Sequence, residues 1–322
     1  MPATLAKAPA APRDYAACSG CSLCLLVCPM WRRHHDPRLT PEGLAKALQW
    51  GTPVTAAEVA APVEACSLCG ACDPVCPEGI DLSGLIMDLR RQSQRIQKVG
   101  AGETATVSKD GPAPVSSAVL LPGPELRTDS VALAHVRALL GTAIADDDGA
   151  DIALALEKGV EISQDRLQRF LAPLAGRQLV AADGLLLRQL RRWLPGSQRM
   201  GLGAALSSRT PIRSKLGPTD LYVIEARAYH ADYERMVAYY DRLQRDTGCM
   251  LNLDLQRIAI PARAQGVPQQ PGMAADDDAT QVNWILRGRQ PMRVVVESLA
   301  DRGAFEGATD IPVVYNADLA EN

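Results

Sequence analysis

Cys18-Ser19-Gly20-Cys21-Ser22-Leu23-Cys24-Leu25-Leu26-Val27-Cys28-Pro29 is answered further on by Cys66-Ser67-Leu68-Cys69-Gly70-Ala71-Cys72-Asp73-Pro74-Val75-Cys76-Pro77. Both runs separate their thiols by gaps of two, two and three residues, both end on proline, and together they take eight of the nine cysteines. A two-residue gap lets one tight loop deliver successive sulfurs to metal atoms lying side by side. Ser19, Gly20, Ser22, Ser67, Gly70 and Ala71 are small fillers that leave backbone N–H groups free to face what the sulfurs hold. Pro29 and Pro77 fix φ and are expected to stop the backbone from wrapping further around the ligand. A four-cysteine zinc site would use separated Cys-x2-Cys pairs, and a disulfide framework belongs to short secreted chains, so both fit these runs poorly.

The spacing, with its trailing proline, is that of the bacterial ferredoxin run for cubane iron–sulfur clusters. In those proteins three close thiolates bind one cluster and the fourth reaches to its neighbour. Two [4Fe-4S] clusters are therefore expected. The crossing rule gives one cluster Cys18, Cys21, Cys24 and Cys76, and the other Cys66, Cys69, Cys72 and Cys28, tying both motifs into one folding unit.

At 322 residues with 47% hydrophobic content, the chain is long enough for two or three packed domains. Met1–Arg13 lacks the unbroken apolar core of a secretory signal, and no apolar run approaches the ~18 residues of a membrane helix. A cytoplasmic protein without a membrane span follows as the expectation, in keeping with free thiolates and a supply of iron and sulfide. Net charge of −3 and 4% aromatic content argue against nucleic acid, which calls for a basic surface or stacking platforms.

Between the motifs, helices are predicted at Pro41–Trp50, with Thr40 as N-cap and Gly51 closing it, and at Thr55–Ala61. Asp81–Val99 reads as an exit helix carrying Leu82, Leu85, Ile86 and Leu89 on one face. Residues 101–117 are rich in Gly, Ala, Thr, Pro and charge and read as a linker. From Ala118 short apolar runs alternate with helical segments, the pattern of an α/β layer fold. Strands are predicted at Ala118–Leu121, Gln178–Ala181, Asp220–Ile224, Arg293–Val296 and Ile311–Val314. Helices are predicted at Val131–Leu140, Gln164–Ala175, Leu185–Trp193, Tyr229–Thr247 and Ala279–Arg287. The fold class is thus α+β/α/β: a helical dicluster ferredoxin-like domain over 1–100, then a duplicated α/β domain over 118–322, with halves near 118–215 and 216–322.

Two such motifs followed by a duplicated α/β region resemble the iron–sulfur subunits of the heterodisulfide reductase and glycolate oxidase group. In that group the α/β region carries cysteine-rich repeats that hold a further cluster. Here the first repeat, from Leu120–Pro124 through Gly159 to Ala182–Gly184, has no cysteine. The second has Pro261, Ala262, Ser298 and Asp301 at its ligand positions. The resemblance therefore implies an iron–sulfur electron-transfer subunit, with a degenerate α/β region, relaying electrons between a flavoprotein partner and another redox carrier or subunit. A catalytic heterodisulfide or thiol–disulfide reductase is the alternative, and clusters that only brace the fold are a third reading. No dinucleotide fingerprint or P-loop is evident, so electrons are expected to arrive from and leave for other proteins.

Other features read more plainly. Cys249 is expected to be a buried structural thiol. Arg32-Arg33-His34-His35, immediately after the first motif, reads equally as positive charge that raises the nearby cluster potential or greets an acidic partner, and as a solvated loop. Asp146–Asp148 and Asp276–Asp278 lack the spaced ligands of a calcium loop and read as solvated turns. Tyr229, Tyr233 and Tyr240 share a helical face and are expected in packing.

Overall fold

The computed structural model describes residues 14–97, 118–263 and 278–321. The expected linker 101–117 lies outside them, as do 1–13, the end of the expected exit helix, and Asp276 and Asp277. Helices α1 (Leu23–Val27) and α2 (Pro29–His34) follow the first cysteine loop, α3 (Pro41–Gln49) and α4 (Ala57–Ala65) lie between the motifs, and α5 (Leu82–Gln97) leaves the second. Thr40 caps α3 as its sequence requires, its hydroxyl accepting the Gly43 N–H at 3.3 Å with Pro41 in the first turn. α4 continues past the predicted end at Ala61 with Pro62 inside it. Val59, Pro62 and Val63 are all buried, and their packing outweighs the one backbone bond that proline forfeits. Pro29 does more than end its loop: it occupies the first turn of α2, where a missing N–H costs nothing.

The rest of the described chain is helix around two parallel sheets. The first contains β1 (Ala118–Leu121), β2 (Ala143–Ile144), β3 (Gln178–Ala181) and β4 (Arg199–Gly201). α6 (Gly123–Thr128) and α7 (Ser130–Leu140) follow β1, α8 (Ala150–Lys158) and α9 (Gln164–Leu171) follow β2, and α10 (Gly184–Trp193) follows β3. α11 (Leu202–Ser207) and α12 (Thr210–Arg213) lead to the second sheet, whose β5 (Asp220–Val223) is followed by α13 (Ala226–Ala231) and α14 (Tyr233–Thr247). Then come β6 (Met250–Leu251), the hairpin β7 (Leu253–Asp254) and β8 (Ile258–Ala259), α15 (Asp278–Leu286), β9 (Arg293–Val296), α16 (Leu299–Glu306) and β10 (Val313–Tyr315). The first sheet is ordered β2-β1-β3-β4 and the second β6-β5-β9-β10, every pair parallel. Counted within its own sheet, each follows the order 2-1-3-4.

The central strands lie where the sequence places them, because a parallel strand covered on both faces reads as an unbroken apolar run. β2, β4 and β6 were not predicted: each is two or three residues long, too short to show a period. The predicted helix Tyr229–Thr247 is broken at Asp232, which has a non-helical backbone and pairs with Arg191 at 3.1 Å and Arg235 at 2.7 Å. Arg191 also bonds the Ala231 carbonyl at 2.8 Å, so α10 satisfies the end of α13 and lets α14 set off in a new direction.

Alternation along β1 and β3 sorts the core. Val119, Leu121, Leu179 and Ala181 pack with Leu44, Val59, Val63, Ile86 and Met87 of α3, α4 and α5, the helices around the cysteine loops. Leu120 and Val180 face the other way, into the core built on the second sheet. The first sheet is thus the shared wall between the cysteine loops and the rest of the chain.

Candidate iron–sulfur site

The two loops follow the same backbone path. Gly20 and Ser22 of the first have φ of +78° and +63°, and Leu68 and Gly70 of the second have +53° and +74°. Each loop thus turns left-handed at the same two positions, with a single glycine in each, placed differently. Gly70 cannot be exchanged freely, because a Cβ there would lie 3.1 Å from the Cβ of His230. At Gly20 the neighbour is the flexible end of Lys46, and Ser22 already shows that the second position tolerates a side chain.

Folding interleaves the eight thiols. One cavity is lined by Cys18, Cys21 and Cys24 of the first motif together with Cys76 of the second, beside Glu42, Glu78, Ile80 and Leu82. Cys28 instead lies near Cys66 and Cys69, and Cys72 feels the charges of Cys66, Cys69 and Cys28. Among the described residues no three His, Cys, Asp or Glu side chains close on a single ion, as a four-thiolate zinc centre requires. A cubane spreads its thiolates over separate irons.

Burial governs the thiols. It pushes Cys24 and Cys28 up to about 12 and Cys69 to about 11, with Cys66 raised and Cys72 raised well above the ordinary range. These groups hold their protons at neutral pH, so binding a soft cation must release protons. The eight sulfurs, their division into two groups of four, and the left-handed turns fit [4Fe-4S] clusters as ligands.

The second loop is held by cationic side chains that the motif does not reveal. Arg90 of α5, 4% exposed, donates to the carbonyls of Val63 at 2.9 Å, Cys66 at 2.5 Å and Glu157 at 2.6 Å. Arg227 of α13 donates to the Ser67 carbonyl at 2.7 Å and pairs with Glu157 at 2.6 Å. His230 Nδ1 lies 2.7 Å from the Cys69 carbonyl, which fixes it as the donor, and burial lowers the ring to about 4, so it is neutral. Arg188 of α10 bridges Asp73, at 2.6 Å, and Asp81, with Ser83 closing on Asp73 from the other side. Only tertiary packing brings these groups together; the sequence showed no more than scattered basic residues on amphipathic helices. The first loop is held within its own region: Lys46 and Gln49 of α3 donate to the Cys18 carbonyl at 3.1 and 2.9 Å. Cys21 is exposed.

The remaining sequence readings divide. Arg32 is neither solvated nor free to greet a partner: its side chain is 9% exposed, pairs with Asp254 of β7 at 2.5 Å and lies 4.4 Å from the centre of the Trp284 ring. It fastens the β7–β8 hairpin to the first motif, and Ile258 of that hairpin packs among Cys24, Cys69 and Cys72. Tyr229 and Tyr233 donate to the carbonyls of Arg257 and Gln256 at the hairpin tip, at 2.7 and 2.5 Å, while Tyr240 donates to Glu297 at 2.6 Å. Their role is packing and anchoring. In the first acidic run Asp146 and Asp147 are exposed as expected, Asp147 pairing with Arg166, and only Asp148 is buried, against Arg127. Cys249 is fully buried in the large core.

A cavity of about 270 Å³ opens where the carboxyl ends of β1, β3, β5 and β9 converge. Pro122–Pro124 and Ala182–Gly184 beside the first sheet line it, as do Pro261, Ser298 and Asp301 beside the second. Ser67 and Cys69 of the second cysteine loop form part of its wall, and Ala262 is buried apart from it. Among the described residues, Cys69 is the one cysteine in its lining.

Residues 14–80, which contain both loops, match the 4Fe-4S dicluster domain family. No curated protein and no solved structure matches the chain. The match and the thiol geometry define an iron–sulfur protein with an electron-transfer role. Among the described residues, no helix is long and apolar enough to cross a membrane.

Proposed function

We propose that the chain is a non-catalytic electron-transfer subunit carrying two [4Fe-4S] clusters, which relays electrons between a flavoprotein partner and another redox carrier or subunit. The observation that carries this reading is the interleaving of the motifs, Cys76 with Cys18, Cys21 and Cys24, and Cys28 with Cys66, Cys69 and Cys72. These two sets are the proposed ligands. When bound, such clusters store and release single electrons at potentials set by hydrogen bonds, charge and exposure. The protein supplies spacing and walls: exposed Cys21 brings one group of four to the surface, and Arg90, Arg227 and His230 hold the other in place.

The α/β region is proposed to be a duplication of the type found in the heterodisulfide reductase and glycolate oxidase group, degenerate in its thiols. The shared strand order of the two sheets supports the duplication, and the carboxylates and prolines at the strand ends support the degeneracy. The proposed domains are 1–100 and 118–322, joined by the linker, in a cytoplasmic complex without nucleic acid. A reductase centred on the α/β region is disfavoured, because its one thiol, Cys249, is sealed in the core.

The test is anaerobic preparation followed by iron and acid-labile sulfide analysis and a reductive titration. The reading expects about eight irons per chain and two reversible one-electron steps. Colourless protein, zinc in place of iron, or clusters silent to reductant would overturn it. Co-purified chains would identify the flavoprotein.

A further inference from the structure

The cavity at the strand ends is built with an imbalance of charge. Two of its carboxylates are already paired, Glu157 with Arg227 at 2.6 Å and Glu125 with Arg263 at 3.3 Å. Three others are occupied by the fold. Asp183 accepts the Leu186 N–H at 2.7 Å and caps α10, while Glu225 accepts the N–H groups of Arg227 and Ala228 and caps α13. Glu297 accepts the hydroxyls of Tyr222 and Tyr240 at 2.9 and 2.6 Å and the Glu225 N–H at 2.9 Å.

Asp301 is different. It lies in the first turn of α16, lines the cavity and is 8% exposed, yet no described residue gives it a hydrogen bond or an ion pair. A carboxyl so enclosed, with no protein donor among the described residues, keeps only water as a partner, which leaves it free to accept from a ligand. Burial first, then Glu225, raise its pKa well above the ordinary carboxylate range; Arg263, the cation acting against that rise, is already engaged by Glu125. Both cations of the lining are thus turned to other carboxylates, Arg227 to Glu157 and Arg263 to Glu125.

We infer that this cavity is a binding site for a small organic cation, whose ammonium or guanidinium group donates to Asp301. An inorganic ion does not suit it, since no three carboxyl, thiol or imidazole groups among the described residues converge on one point. At about 270 Å³ it has room for several waters, which a ligand of that size would displace. The volume sits at the small end of ligand pockets, which admits a short amine and not a nucleotide. The place is the one where parallel sheets hold ligands, outside the carboxyl ends of the strands. This site goes beyond the electron relay and does not depend on it.

Calorimetric titration of the anaerobically prepared full chain tests it, with agmatine and putrescine as cations and succinate as the anionic control. Wild type should bind at least one cation and not succinate. Asp301→Asn should weaken that binding at least tenfold while leaving the visible spectrum unchanged. Arg263→Gln, which removes the opposing charge, should strengthen it severalfold, a gain that misfolding cannot produce. Failure of both cations to bind wild type at millimolar concentration, preferred binding of succinate, or equal affinity in Asp301→Asn would overturn the inference.

Discussion

The two cysteine loops share a backbone path and differ in what surrounds them. The first rests on α3 and presents Cys21 at the surface, its carbonyls held by Lys46 and Gln49 from the same region of the chain. The second is enclosed by α5, α10 and α13, with Arg90 and Arg227 on its carbonyls and His230 against Gly70. One motif thus serves two environments. Thiol spacing decides what can be held, and the walls decide whether it is reached from outside or through protein.

The sharpest way to break this comparison is to remove one thiol from each loop. Cys69→Ala and Cys21→Ala should each lower the iron content from about eight to about four per chain. Cys69→Ala should also lower the yield of folded protein far more, because its loop lies in the packed interior. Equal losses of stability, read by thermal unfolding under anaerobic conditions, would remove the distinction.

The clamps come next. Arg90→Met leaves several buried carbonyls without a donor and should destabilise the protein by about 3 kcal/mol. Lys46→Met on the open loop should change stability by less than about 1 kcal/mol. Denaturant titration of the two variants measures the contrast directly.

A finer test uses the left-handed positions. Gly70→Ala forces both an unfavourable φ and a contact with His230, and should be destabilising by about 2 kcal/mol. Ser22→Gly relaxes a strained residue facing open space and should be stabilising by less than about 1 kcal/mol. Similar effects at the two positions would mean that the walls do not matter.

The smallest expected effect is a dependence on pH at the strand ends behind the second loop. Burial raises Glu225 and Glu297 from the ordinary 4.5 to about 7. The folded state therefore holds more protons than the unfolded one between those values. Their contribution to stability is fully present below pH 4.5, declines as pH rises to about 7, and is flat beyond. Glu297→Gln should flatten part of that decline in a series of melting temperatures, and an unchanged slope would place the titration elsewhere.

Much of this molecule is legible in order along the chain. The thiol runs, the Thr40 cap and the buried parallel strands are local patterns, fixed by residues a few positions apart. The break at Asp232 was not legible, because it depends on Arg191 from another helix. Arg32 looked like surface charge for the same reason: Asp254 and Trp284 are far away in sequence.

The amino-acid order alone determined the donors on offer: eight soft sulfurs at ferredoxin spacing, followed by an α/β region with the single thiol of Cys249. Only the tertiary structure decided which loop is enclosed, which guanidinium groups steady it, and that Asp301 lies without a partner among the described residues in a cavity shared by both sheets. The physical reason is range. Ligand spacing is set by covalent geometry within a loop, whereas burial and charge pairing arise from segments that meet only after the chain has folded.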